Sequence, residues 1–213
     1  MRNSSIRRSA LLCLFCMPAL GAAIGSQEII RNVEQKLTEK QTVTARFEEL
    51  YVWKLTGEKQ TIKGEFDLKG ESRFRITTED QLIVSDGKTL WTYSKPAGRV
   101  LVDRIENAEN DWLPQKLFLK TRKEFRHRLS GEETLQGRKC YVIDFDAEKE
   151  DSYITKMKVW VDAESWLPGK IEQIDISRNK TVYTLSDIKT GMELEDSLFE
   201  FKPPENAEII DLR

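Results

Sequence analysis

Few side chains in this sequence could perform chemistry, and their placement argues against catalysis. His127 is the only histidine among 213 residues, and it lies between Arg126 and Arg128. Neither neighbour can supply the carboxylate that orients a catalytic histidine. No serine stands in the Gly-x-Ser-x-Gly pattern of a nucleophile elbow. We therefore predict that His127 is a surface residue on the polar face of a strand and that the protein is not an enzyme.

Metal and cofactor sites are not indicated either. Cys140 is the only cysteine after residue 16, and it falls in an apolar run, which predicts a buried and unreactive thiol. One cysteine and one histidine in separate strands cannot form a structural zinc site. The sequence has no glycine-rich phosphate loop, so we expect no cofactor. A carboxylate pair for glycoside chemistry stays open, because such residues meet only in three dimensions.

The first 26 residues have the order of a secretory signal. Three arginines come before residue 10, residues 10–20 are apolar, and residues 21–26 are small and neutral. The apolar run is too short for a permanent membrane span, so we predict a signal peptide over 1–26, cleaved within 21–26. An N-terminal anchor is the alternative. One exported domain is expected over 27–213.

The overall charge bears on the partners. The chain has 34 lysines and arginines against 36 acidic residues. Because no basic excess exists to neutralise phosphates, nucleic acid is not expected as a partner.

Hydrophobic periodicity predicts an N-terminal helix followed by many strands. Apolar residues recur at helical spacing through 26–39, and Ser26 can cap that helix. The period then changes to two, most cleanly through 61–68. Asp86-Gly87 is a hairpin signal. We expect about eleven strands, a second helix around 112–119, and an added edge strand near 209–212.

Large apolar side chains crowd the first half of the predicted sheet, and two helices give thin cover for so many strands. An apolar cavity would resolve this mismatch. The cavity candidates are Phe47, Tyr51, Trp53, Ile62, Phe66, Leu68, Phe74, Leu82, Val84, Leu90, Trp91 and Tyr93. The candidates for covering it as a lid are Ile29, Ile30, Val33, Leu37, Trp112, Leu113, Leu117 and Phe118.

Three segments carry a family resemblance. The stretches 64–69 (followed by Arg73-Phe74-Arg75), 82–93 (LIVSDGKTLWTY) and 199–204 (FEFKPP) resemble the outer-membrane lipoprotein carrier family, LolA. The resemblance implies a mainly β fold with a few helices. That fold would be an incomplete, unclosed antiparallel β-barrel of about eleven strands, with an α-helical lid over an apolar cavity.

The same resemblance implies a function. The protein would be a monomeric periplasmic carrier that shields the acyl chains of lipoproteins, without a cofactor. Cargo would come from an inner-membrane ABC-type releasing complex and pass to an outer-membrane acceptor. A carrier of another lipid, such as a glycolipid, and a periplasmic lipoprotein-sensing domain are the alternatives.

One departure from the family pattern concerns the lid. Many members have Lys-Arg-Pro where this chain has Lys-Gly-Glu at 69–71, and that arginine ties the barrel to the lid. Arg73 and Arg75 are therefore the candidates for this latch. We also expect that Phe74→Glu abolishes lipid binding and leaves the fold intact, although Phe74 could instead belong to the core.

Overall fold

The computed structural model describes residues 24–107 and 124–213. The predicted second helix, with Trp112, Leu113, Leu117 and Phe118, lies outside the described residues, as does most of the predicted signal peptide. The helix α1 spans Ser26–Lys40. The strands are β1 Thr42–Val52, β2 Lys59–Lys69, β3 Arg73–Thr78, β4 Gln81–Asp86, β5 Thr89–Ser94, β6 Arg99–Arg104, β7 Phe125–Leu135, β8 Arg138–Ala147, β9 Ile154–Asp162, β10 Pro168–Asp175, β11 Lys180–Thr190 and β12 Glu208–Asp211. Short 3-10 helices span Ile105–Asn107 and Asp196–Phe199.

The twelve described strands form one sheet that does not close. Its order is β12-β6-β5-β4-β3-β2-β1-β11-β10-β9-β8-β7, so β12 and β7 are the edges. Neighbours pair antiparallel, except that β12 runs parallel to β6. The prediction of a mainly β, unclosed fold is therefore confirmed. The strand beyond the expected eleven is β12, which comes from the segment predicted as an added edge.

The strand pairing is irregular in three strands. The register shifts between Thr44 and Arg46 in β1, between Leu129 and Gly131 in β7, and between Pro168 and Lys170 and between Ile174 and Asp175 in β10. Irregularities of this kind, such as β-bulges, increase the local twist of a strand. The sheet thus has an inner face, on which α1 packs, and an outer face.

The helix α1 covers part of the inner face. Its four apolar residues Ile29, Ile30, Val33 and Leu37 are at most 3% exposed and pack in one core with Leu68 and Phe74. Burying each of these side chains is worth about 2 kcal/mol, so the amphipathic stripe explains why α1 docks here. No helix in the described ranges is long and apolar enough to cross a membrane.

The start of α1 differs from the prediction. Gly25 occupies the N-cap position without a side-chain cap bond, and Ser26 is already helical. The Ser26 hydroxyl lies 3.0 Å from Nδ1 of His127 instead. His127 pairs with the buried Phe145 of β8 and so lies on the inner face. The predictions of Ser26 as the cap and of His127 on a polar outer face are therefore wrong.

Buried apolar side chains also lie on the outer face. Val84, Val100 and Phe199 are at most 1% exposed, and the segment after β11 crosses this face and brings Phe199 onto it. The ring centroid of Phe201 is 6.2 Å from those of Trp91 and Tyr93. The C-terminal segment therefore covers apolar side chains of β4, β5 and β6.

Candidate binding cavity

The part of the inner face that α1 leaves free contains a cavity of about 280 Å³. Its walls come from strands that are distant in sequence, β1 to β4 on one side and β10 and β11 on the other. The lining residues are Phe47, Glu49, Ile62, Phe66, Ile76, Thr78, Gln81, Ile83, Ile171, Gln173, Tyr183 and Leu185. Most of them are apolar, so the cavity suits an apolar guest with few polar groups.

One glycine shapes the wall between β1 and β2. Phe47 pairs with Gly64, and a Cβ on Gly64 would lie 2.7 Å from Cζ of Phe47 and 2.5 Å from the Thr77 carbonyl oxygen. Such contacts are too short for any other residue without a shift of the backbone. The missing side chain therefore lets the Phe47 ring lie across β2 beside the cavity.

A second, shallower pocket of about 240 Å³ adjoins the cavity. It is lined by Glu49, Tyr51, Trp53, Gln60 and Ile62, of which Glu49 and Ile62 also line the cavity. The rings of Tyr51 and Trp53 meet edge to face, with centroids 4.5 Å apart. The cavity and the pocket are therefore neighbours along β1 and β2, and Glu49 and Ile62 lie at their boundary.

Polar residues interrupt the apolar walls at Glu49, Gln173 and Tyr183 on β1, β10 and β11, and at Thr78 and Gln81 on β3 and β4. Glu49 on β1 and Tyr183 on β11 are cross-strand partners, and Gln173 on β10 is 8% exposed. Burial raises the pKa of the Glu49 carboxyl above its ordinary value. Burial, and after it the negative charge of Glu49, raises the pKa of the Tyr183 hydroxyl. Tyr183 therefore stays protonated, and Glu49 is the only acid among the described lining residues.

The described residues show how potential metal ligands and the cysteine thiol are placed. Within 24–107 and 124–213 no group of three or more histidine, cysteine, aspartate or glutamate side chains is placed to hold a metal ion. Cys140 is 2% exposed and packs with Val142 and Trp160. Burial raises the pKa of its thiol, so the prediction of a buried cysteine is confirmed and its thiolate is disfavoured.

The structure divides the predicted cavity residues into groups. Phe47, Ile62 and Phe66 line the cavity, and Tyr51 and Trp53 line the adjoining pocket. Leu68 and Phe74 are fully buried in the core beneath α1, and Leu90 packs against that core. Because Phe74 has no exposure, a glutamate there would bury a charge in the core. Contrary to the expectation from the sequence, the structure therefore predicts that Phe74→Glu disrupts the fold.

Four of the predicted cavity residues are corrected. Leu82 pairs with Tyr93, and Val84 pairs with Trp91, on the face opposite to Ile83. Ile83 lines the cavity, so Leu82, Val84, Trp91 and Tyr93 lie on the outer face, where the C-terminal segment packs. Both faces of β4 and β5 are apolar, and for that reason alternation alone could not tell the inner set from the outer one.

The latch candidates have other partners among the described residues. Arg73 donates a hydrogen bond from Nη1 to Oδ1 of Asp196 at 2.8 Å, and Arg75 donates from Nη1 to the Leu198 carbonyl at 3.3 Å. Both arginines flank the inward-facing Phe74, so strand alternation places them on the outer face. In the described residues they hold the C-terminal segment and not α1.

Part of the site was not predicted from the sequence. The predicted cavity residues all lie in the first half of the chain, whereas the alternating stretches of β10 and β11 also contribute to the cavity. The missed residues are Glu49, Ile76, Thr78, Gln81, Ile83, Ile171, Gln173, Tyr183 and Leu185. The same period-two pattern in the second half could have found Ile171, Tyr183 and Leu185.

Comparison with known proteins identifies the family. Residues 38–202 match the family described as "Outer membrane lipoprotein carrier protein LolA". The chain belongs to this family.

Curated relatives agree at modest identity. An outer-membrane lipoprotein carrier protein from Legionella pneumophila (strain Corby) is 30% identical over 189 residues, which cover 87% of this chain and 91% of that protein. An uncharacterized protein from Methanocaldococcus jannaschii is 27% identical over 88% of this chain. The chain spans about half, 54%, of the length of that archaeal relative.

Solved structures share the fold at low identity. An uncharacterized conserved protein from Thermus thermophilus matches with a TM-score of 0.61 and 13% identity, over 87% of this chain and 98% of that one. MucB in complex with MucA(peri) matches with a TM-score of 0.51 and 15% identity, over 87% of this chain and 62% of that one. These similarities concern the fold alone.

Proposed function

We propose that this protein carries acylated lipoproteins through the periplasm, shielding their acyl chains between an inner-membrane releasing complex and an outer-membrane acceptor. The observation that carries the proposal is the apolar cavity on the inner face of the sheet, in a chain that belongs to the lipoprotein carrier family. The role is binding and transfer without catalysis. The signal-like order of residues 1–26 supports export.

The hydrophobic effect gives the reason for a carrier. Each methylene removed from water is worth about 0.8 kcal/mol, so an exposed acyl chain costs several kcal/mol and drives aggregation. A cavity lined by Phe47, Phe66 and Ile83 replaces water by apolar contacts. The same surface must release the chain later, and a cover that competes with the guest for it makes binding reversible.

We propose α1 as part of that cover. Its side chains Ile30, Val33 and Leu37 occupy the inner face next to the cavity. A cavity of about 280 Å³ is at the small end of the range for ligand sites, so a bulky lipid needs more room than it offers. Displacing α1 would extend the apolar surface toward Leu68 and Phe74 and admit a longer or second chain.

The proposal is tested by competition for the cavity. A fluorescent apolar probe, N-phenyl-1-naphthylamine, is bound to the full chain and displaced by a synthetic peptide with an acylated N-terminal cysteine. We expect Ile83→Glu to abolish both binding events, because the new carboxylate would lie in the cavity wall. The control Ile176→Glu, at a position that is 54% exposed, keeps both.

A folding control and a second variant complete this test. Thermal unfolding shows whether the Ile83→Glu protein is folded, and Ile83→Trp fills the cavity without adding a charge. The proposal is contradicted if the acylated peptide binds equally well to the wild-type protein and to both Ile83 variants.

Mass spectrometry of protein purified gently from the periplasm identifies the cargo, and free glycolipid there would favour the alternative cargo.

A further inference from the structure

The carboxylate of Glu49 is an unusual group for a cavity that holds lipid chains. It lies where the cavity and the adjoining pocket meet, and it is half-buried. No lysine or arginine is among the described residues that line either space. The neighbouring Glu48 is, by contrast, paired with Lys63 at 2.8 Å on the exposed face.

The polar neighbours of Glu49 in the cavity lie mainly on β10 and β11. Tyr183 stands opposite it on β11, and Gln173 follows on β10, where its amide nitrogen has only the Met157 sulfur as partner, at 3.9 Å. On β2 the cross-strand partner of Glu49 is the apolar Ile62. A guest in this space therefore meets a negative charge and hydrogen-bonding groups on β1, β10 and β11, while the lining residues of β2 to β4 are mostly apolar apart from Gln60, Thr78 and Gln81.

A fatty carboxylate would place a second negative charge beside Glu49, which is unfavourable in a partly desolvated site. A hydrogen-bond donor, and above all a cationic amine, would satisfy the carboxylate and form a charge-assisted hydrogen bond. The apolar chain of the same molecule would fill the inner cavity past Phe47 and Phe66. Both parts of one amphiphile thus find a matching wall.

We infer that Glu49 makes the cavity selective for amphiphiles whose polar group next to the acyl or alkyl chain is a hydrogen-bond donor, with a cationic amine preferred over a carboxylate. This inference rests on the proposed function and names the cargo chemistry of the same cavity. Glu49 sets the preference, and the apolar walls supply the affinity for the chain.

The test compares three amphiphiles that share a dodecyl chain. Dodecylammonium, dodecanol and dodecanoate are titrated into the full chain by calorimetry below their micelle concentrations. We expect the wild-type protein to bind the amine about tenfold or more tightly than the carboxylate, with the alcohol between them. Butylammonium has the same charge without the chain and is expected not to bind measurably.

A matched pair of variants assigns the preference to Glu49. In Glu49→Gln the ratio of amine affinity to alcohol affinity falls severalfold. In Glu48→Gln, which removes the same charge one residue away on the other face, the ratio stays as in the wild-type protein.

The outcomes separate the two proposals. If the wild-type protein binds all three dodecyl amphiphiles equally, or if Glu49→Gln keeps the amine preference, this inference is overturned and the carrier function stands. If none of the three binds to the wild-type protein, the carrier function fails and the inference with it. An equal fall of the ratio in both variants assigns the preference to overall charge and also overturns the inference.

Discussion

At the scale of single residues, the charged carboxylate of Glu49 lowers the stability of the fold. Burial raises the pKa of its carboxyl, which means that the charged form is less stable in the folded protein than in the unfolded chain. The other titratable groups among the described lining residues of the two spaces are Tyr183 on β11 and Tyr51 in the adjoining pocket. Burial is the largest cause that raises the pKa of both tyrosines, so neither gains a charge at neutral pH.

This pKa shift predicts how stability depends on pH. The stabilisation from a raised carboxyl pKa is fully present below the unfolded value of about 4.3 and is lost as the pH rises through the folded value. Glu49→Gln should therefore be more stable than the wild-type protein near neutral pH, by less than about 1.4 kcal/mol because the group is partly solvated. The difference should vanish near pH ~4.

Urea unfolding at both pH values measures this difference. Glu48→Gln serves as the control, since Glu48 pairs with Lys63 at the surface and its loss brings no gain. A Glu49→Gln protein that is less stable than the wild type near neutral pH would show that the carboxylate has a stabilising partner.

At the scale of elements, the C-terminal segment acts as a strap on the outer face. Phe199 is 1% exposed, and Asp196 accepts hydrogen bonds from Lys69 at 2.7 Å and from Arg73 at 2.8 Å. The two cations together lower the pKa of the Asp196 carboxyl, with the Lys69 hydrogen bond as the largest cause. Exposed ion pairs contribute little, so the apolar contact of Phe199 dominates the attachment.

Removing that contact should destabilise the protein without touching the cavity. We expect Phe199→Ala to lower the free energy of unfolding by about 3–5 kcal/mol and to leave binding of the apolar probe unchanged, because the cavity lies on the other face of the sheet. Urea unfolding and probe titration measure the two effects.

Phe201→Ala provides the comparison within the same segment, since Phe201 is only half-buried and its loss should cost less. Asp196→Ala should have a much smaller effect than Phe199→Ala. A loss of probe binding in folded Phe199→Ala protein would indicate that the strap and the cavity are coupled through the sheet.

At the scale of the whole molecule, the inner face has two halves with different roles. One half is filled by α1 and holds Leu68 and Phe74 at no measurable exposure. The other half contains the cavity, with Phe47 and Ile83 in its walls. The first half supplies the packing that holds the fold together, and the second leaves apolar surface free for a guest.

Substitutions in the two halves should therefore affect different properties, the stability of the fold in the first half and the binding of the probe in the second. Phe74→Glu is expected to unfold the protein, because it buries an unpaired charge in the core. Ile83→Ala should cost less than about 1.5 kcal/mol, since a partly exposed side chain loses little burial there, and should weaken binding of the apolar probe. Circular dichroism and urea unfolding follow the fold, and probe titration follows the cavity. A stably folded Phe74→Glu protein would contradict this division.

Much of the architecture follows from local pattern. The helical stripe from Ile29 to Leu37 and the alternation around Phe66 gave the type of each element, because burial of one face imposes a period of 3.6 or of two. The three resembling segments gave the family. The hairpin at Asp86-Gly87 follows from turn chemistry, since Gly87 has a φ of 98°.

The tertiary structure decided on which face a side chain lies and which residues surround it there. Alternation fixes which residues share a face but not which face becomes the inner one. Where both faces of a strand are apolar, as at Leu82 and Ile83, the period of two does not predict which residue faces the cavity. Strand order and the C-terminal segment settle that choice. The environment of Glu49 likewise depends on Tyr183 and Gln173, which line the same cavity only when β1 pairs with β11 and β11 with β10. A sequence determines its own periodicity, but burial depends on contacts between segments that are far apart in the chain.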